Sequence, residues 1–136
     1  LVDAAIKKVK TVILFGYHGK LIKLAGGIFH THNHLADGRI EILVYLAVQE
    51  NLPLEIIVKL SELNNLEDGL LFLERFNKSL ADKLFKNLSN TIEKRSFAYV
   101  NRYVKTDMEI ASIIFDRKRE IRWAGTNGNK FISHFR

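Results

Sequence analysis

His18, His30, His32 and His34 are gathered in one stretch of the chain with Gly16, Gly19, Lys20, the pair Gly26-Gly27 and the string Ala36-Asp37-Gly38-Arg39. Three kinds of chemistry are open to such a set. His30, His32 and His34 alternate, so an extended segment would turn them to one face, as the ligands of a metal-dependent hydrolase would be. Against that, three ligands so close together need an unusual backbone, and no Cys completes a tetrahedral set. A second reading has the histidines satisfied by backbone carbonyls in a polar loop. The third is an anion or ligand site at Gly16-Tyr17-His18-Gly19-Lys20. A helix start leaves backbone N–H groups unpaired and its dipole favours negative charge. Glycines let the chain approach a ligand closely, and Lys20 adds a full charge. The turn lacks the spacing of a P-loop and of the GxGxxG dinucleotide fingerprint.

The elements around these residues set where they stand. Val2, Ala5, Ile6 and Val9 recur at helical spacing, so Leu1–Lys10 reads as the end of a helix. Thr11–Phe15 is a β-branched and apolar run stopped by Gly16, which predicts a buried, central strand. Gly16–Gly19 then reads as a turn into a helix beginning at Lys20–Leu24. Asp37-Gly38 predicts a second turn, with Asp37 capping a helix over Arg39–Glu50. Pro53 suits the first turn of Leu54–Leu63. Leu66–Phe76 and Ser79–Lys94 continue the helical pattern, and Leu80, Leu84, Phe85 and Leu88 form a core stripe. Met108–Phe115 and Glu120–Ala124 flank a solvated charged turn and predict a β-hairpin. Gly125–Asn129 reads as a turn, with a last strand over Phe131–Phe135. The expectation is one compact α/β domain, residues 1–136, with a buried and partly parallel sheet flanked by helices.

Taken together, Gly16, Gly19-Lys20-Leu21, Lys23-Leu24-Ala25, Gly27-Ile28-Phe29, Thr31-His32, Ala36-Asp37-Gly38-Arg39 and Glu41 resemble, in order and spacing, the signature of the cobalt-precorrin-5B (C-1)-methyltransferase family, the cobalamin biosynthesis protein CbiD. The chain departs from it at the first turn, where Tyr17 takes the usual histidine position and His18 follows. The resemblance implies the carboxy-terminal domain of a longer enzyme whose amino-terminal domain is missing here. It also implies S-adenosylmethionine as methyl donor and a carboxylated cobalt tetrapyrrole as acceptor, with cobalt present only as part of that substrate. On it, His32 and Asp37 are the catalytic candidates, either able to act as general base. The binding candidates are Gly16, His18, Gly19, Lys20, Lys23, Thr31, Gly38, Arg39 and Glu41, and no dedicated metal site is expected.

Composition bounds the rest. A chain of 136 residues, 47% hydrophobic, suits one domain with a real core. No cysteine is present, which excludes disulfides and thiolate chemistry and fits a cytoplasmic setting. No apolar stretch approaches the roughly 20 residues of a membrane span. The formal charge of +6 favours anionic partners, but the basic residues are scattered among acids, so nucleic acid is not expected. The chain starts without Met, in the middle of an amphipathic pattern, and reads as an excised piece.

Overall fold

The computed structural model describes residues 1–29 and 38–134. Val12 and Leu14 point from β1 (Thr11–Tyr17) into the core, while Phe15 on the alternate face is 56% exposed. β1 pairs in parallel with β2 (Glu109–Phe115), which pairs antiparallel with β3 (Ile121–Ala124), giving the order β1-β2-β3. The expected central strand is therefore at an edge. β2, paired on both sides, takes the middle, and its residues from Ile110 to Ile114 are buried. An unalternating apolar run is compatible with either place, and only the number and order of strands decides between them.

Helices cover the sheet. α1 (Val2–Ile6) is shorter than the sequence suggests and closes on Lys8, whose φ is 59°. α2 (His18–Ala25) follows β1 with no intervening turn, so Gly16 and Tyr17 belong to the strand and His18 to the helix. α3 (Arg39–Gln49) and α4 (Leu54–Ser61) fall where the periodicity puts them. The N-cap of α3 is Gly38 at φ 71°, a conformation that suits glycine, rather than Asp37, which lies outside the described residues.

α5 (Leu66–Tyr103) runs 38 residues but breaks at Asn77 (φ −166°, ψ 108°), between the two expected helical segments. The Asn77 side chain accepts from the Leu80 N–H and restarts the helix. Leu84, Phe85, Leu88 and Ile92 are fully buried, and Phe85 stacks on Trp123 of β3 at 4.5 Å. Ile22, Leu43, Leu46 and Leu60 bring α2, α3 and α4 into the same core.

The expected last strand is a helix, α6 (Thr126–His134), with Phe135 outside the described residues. Its Thr-Asn-Gly-Asn start has the composition of a turn, but α5 supplies the missing acceptors. Asn90 Oδ1 accepts from the Thr126 N–H at 2.8 Å. The buried Glu93 carboxylate accepts from the N–H groups of Asn127 and Gly128 at 3.0 Å each. A Cβ at Gly128 would run into the Ser112 carbonyl of β2, so glycine is what lets α6 lie that close.

Candidate functional site at the carboxyl end of the sheet

Tyr17 stands opposite Phe115 in the parallel register, so α2 begins where the β2–β3 hairpin begins. α5 also starts here: Glu67 in its first turn reaches His18, the first residue of α2. Three groups that are far apart in sequence thus share one end of the sheet. Such ends, outside the carboxyl termini of strands, are where open α/β sheets collect ligands.

His18 is fully buried beneath Tyr17, whose ring is 4.3 Å away, and meets Phe85 and Trp123 edge-on at 6.1 and 6.2 Å. Its Nε2 lies 3.2 Å from Glu67 Oε1. Burial holds the imidazole below its usual pKa, against the opposing pull of Glu67 and Asp116 and with help from Arg122. We therefore take His18 as neutral, its Nε2–H donating to Glu67 Oε1. That tautomer leaves Nδ1 as an acceptor. Nδ1, like Glu67 Oε2, is buried with no hydrogen-bond partner among the described residues.

Burial and Glu67 raise the pKa of Tyr17, while the positive charges of Arg117 and Arg39 work the other way. Arg39, the first residue of α3, thus belongs to the electrostatic surroundings of the strand–helix junction. Beside the junction lies a cleft of about 520 Å³ lined by Glu67, Leu70, Glu74, Asp116, Arg117 and Arg122. Arg122 ties its wall together, 2.9 Å from Glu74, 3.6 Å from Asp82 and 3.7 Å from Asp116, with its guanidinium 4.4 Å over Trp123. Asp116 is not the solvated turn residue its charged neighbours suggest. It is buried, and its Oδ1 accepts from the N–H groups of Lys118 and Glu120, closing the hairpin.

The sequence-derived candidates fall into three groups. Gly16, His18, Gly19 and Lys20 lie at the junction, with Gly38, Arg39 and Glu41 in and before the first turn of α3. Lys20 and Glu41 are exposed. Lys23 stands apart, fully buried on the inner side of α2 rather than offered to solvent. The catalytic candidates His32 and Asp37, the binding candidate Thr31 and the cluster His30, His32 and His34 lie outside the described residues. Among the described residues no group of His, Asp and Glu is arranged to hold a metal ion. Glu67, Asp116 and Arg122 escaped the sequence reading because nothing in their spacing marks them; Glu67 is 49 residues from His18.

Residues 30–126 match the family model described as CbiD, C-terminal domain. The chain is 87% identical over 135 residues to the cobalt-precorrin-5B C(1)-methyltransferase of Prochlorococcus marinus strain MIT 9215. It is 71% identical over its full length to the protein of that name from the subspecies pastoris, strain CCMP1986. The relative from strain MIT 9303 is 48% identical over 98% of the chain. The chain spans 36%, 37% and 34% of these three relatives. No solved structure matches it.

Proposed function

The chain belongs to the CbiD family, as its C-terminal domain, and we propose that it forms part of the site where a longer protein methylates C-1 of cobalt-precorrin-5B in anaerobic cobalamin synthesis. One structural observation carries the proposal at the level of residues. α2 and α3 begin at His18 and Arg39, and the N-cap residues Tyr17 and Gly38 give neither helix a side-chain cap; the charge of Arg39 also reaches Tyr17 at the carboxyl end of β1. Helix starts attract anions, and the cobalt-precorrin-5B named for the relatives is, on the family resemblance, a carboxylated tetrapyrrole. Lys20 would meet such a group as a point charge and Arg39 by bidentate pairing.

S-adenosylmethionine is the proposed donor, supplying a methyl group on a sulfonium. Groups at the junction fit that cation: the Glu67 carboxylate, with one oxygen lacking a partner among the described residues, and the electron-rich face of Tyr17. In the transfer, the bond from C-1 to the methyl carbon forms as the sulfur–methyl bond breaks, its electron pair staying on sulfur. The protein's share is to hold two large ligands in line, which can supply roughly 7–11 kcal/mol of the barrier. His32 or Asp37 would accept any proton released as the ring electrons rearrange. No helix among the described residues is long and apolar enough to cross a membrane.

A second reading has this domain hold one ligand while the chemistry lies in the rest of the polypeptide, and the 36% coverage of the relatives favours giving it weight. Titrating S-adenosylhomocysteine and a carboxylated corrinoid into the chain and into a full-length relative separates the two. Arg39→Ala in the full-length protein should weaken the corrinoid by about 2–5 kcal/mol and leave folding largely intact. Unchanged affinity in that variant would remove the anion site from α2 and α3.

A further inference from the structure

The seven residues of β1, Thr-Val-Ile-Leu-Phe-Gly-Tyr, contain no charge and no proline, although the strand lies at an edge of the sheet. Edge strands expose a row of unpaired N–H and C=O groups, and proteins blunt them with charges, prolines or shortness. The opposite edge is blunted: β3 has only four residues and carries Arg122. β1 has no such protection, and no strand among the described residues pairs with its outer side. Exposed apolar side chains lie on β1 and on the helix before it. Phe15 is 56% exposed with its ring 5.3 Å from that of Phe115, and Ile6 of α1 is 60% exposed.

We propose that this edge is where the remainder of the longer polypeptide docks, adding a strand alongside β1 and covering Phe15. The identity of the occupant rests on reading the chain as the C-terminal part of a longer protein; the incompleteness of the edge does not. Nearly two thirds of each relative lies outside the matched stretch, ample to supply a strand. The route into the domain also favours it. Leu1 and Ala5 pack with Val12, Met108 and Ile110, so polypeptide preceding Leu1 would arrive at the start of β1, next to the open edge. Main-chain pairing of this kind gives affinity, and alternate side-chain pockets give specificity.

Residue-resolved hydrogen exchange on the 136-residue chain and on a full-length relative tests the proposal. The β1 amides that do not bond to β2 should exchange about 100-fold more slowly in the full-length protein. Equal rates in the two would overturn it. Phe15→Lys gives a second readout: a small change in Tm for the chain alone, where Phe15 is already more than half exposed, and a clear loss for the full-length protein. A full-length protein indifferent to Phe15→Lys would likewise overturn it. So would a dimer of the chain alone that Phe15→Lys dissociates, because the edge would then belong to a second copy. Protection of β1 in a full-length protein that transfers no methyl group supports the docking and counts against the activity, so the two proposals fail separately.

Discussion

His18 and Glu67, 49 residues apart, meet 3.2 Å from each other at the point where α2 and α5 both begin. The contact ties the strand–helix junction to the long helix, and it does so with a histidine from which water is excluded. A charged imidazole there would gain from Glu67 but lose its hydration, and burial is the larger effect.

Stability should therefore depend on pH in a defined direction. The folded pKa of His18 lies below the 6.5 expected of the unfolded chain, so just below 6.5 the unfolded state binds more protons. The contribution of neutral His18 is complete above 6.5 and is lost as pH falls from there towards the folded pKa. Thermal midpoints between about pH 5 and 7.5 should fall with acid in the native chain and less steeply in His18→Gln. Parallel curves for the two would mean that His18 is not held neutral by burial.

Glu93 is the anchor of the last helix, and its loss should be costly. One carboxylate serves the N–H of Ser112 on β2 at 2.8 Å and those of Asn127 and Gly128 on α6. Glu93→Ala strands these donors and should destabilise the chain by about 3–5 kcal/mol, read from the urea midpoint. Glu93→Gln keeps one oxygen as acceptor and should lose less. If both variants cost under about 1 kcal/mol, water rather than Glu93 satisfies those donors.

Glu93 also shows why parts of this fold were legible in the sequence and others were not. Helices α3 and α4, the break near Asn77 and the β2–β3 hairpin follow from local periodicity and turn chemistry and stand where those signals put them, while α5 runs past the expected Lys94 to Tyr103. α6 does not, because its start depends on acceptors from Asn90 and Glu93, more than 30 residues earlier in the chain. The same holds at the site. The glycine-bearing junction and Arg39 announce themselves by residue type, whereas Glu67, Asp116 and Arg122 acquire meaning only once the chain brings them together. β1 marks a different limit, since its apolar run predicts a strand but not that the strand stands at an edge of the sheet.

The isolated chain should fold cooperatively and yet not turn over. Its described residues include a continuous apolar core from α2 to β3, enough for independent stability. If the proposed function holds, the remaining polypeptide supplies the rest of the methyl-transfer site. A single sigmoidal denaturation curve with no methyl transfer is the expected pair of results. Measurable transfer by the chain alone would mean that the whole catalytic apparatus lies within these 136 residues.

Asp37→Asn in a full-length relative distinguishes base chemistry from bracing at the start of α3. The N-cap position belongs to Gly38, whose φ of 71° needs no side chain from its neighbour, so capping does not by itself require an acid at Asp37. Asparagine preserves shape and hydrogen-bonding capacity but cannot take up the proton. If Asp37 is the general base, turnover should drop by about 10²–10⁴-fold with the urea midpoint nearly unchanged. The acid limb of the pH–rate profile should vanish with it. His32→Gln, made in parallel, should then leave that limb in place; loss of the limb in His32→Gln alone assigns the base to the histidine. Full turnover in Asp37→Asn leaves Asp37 a structural residue.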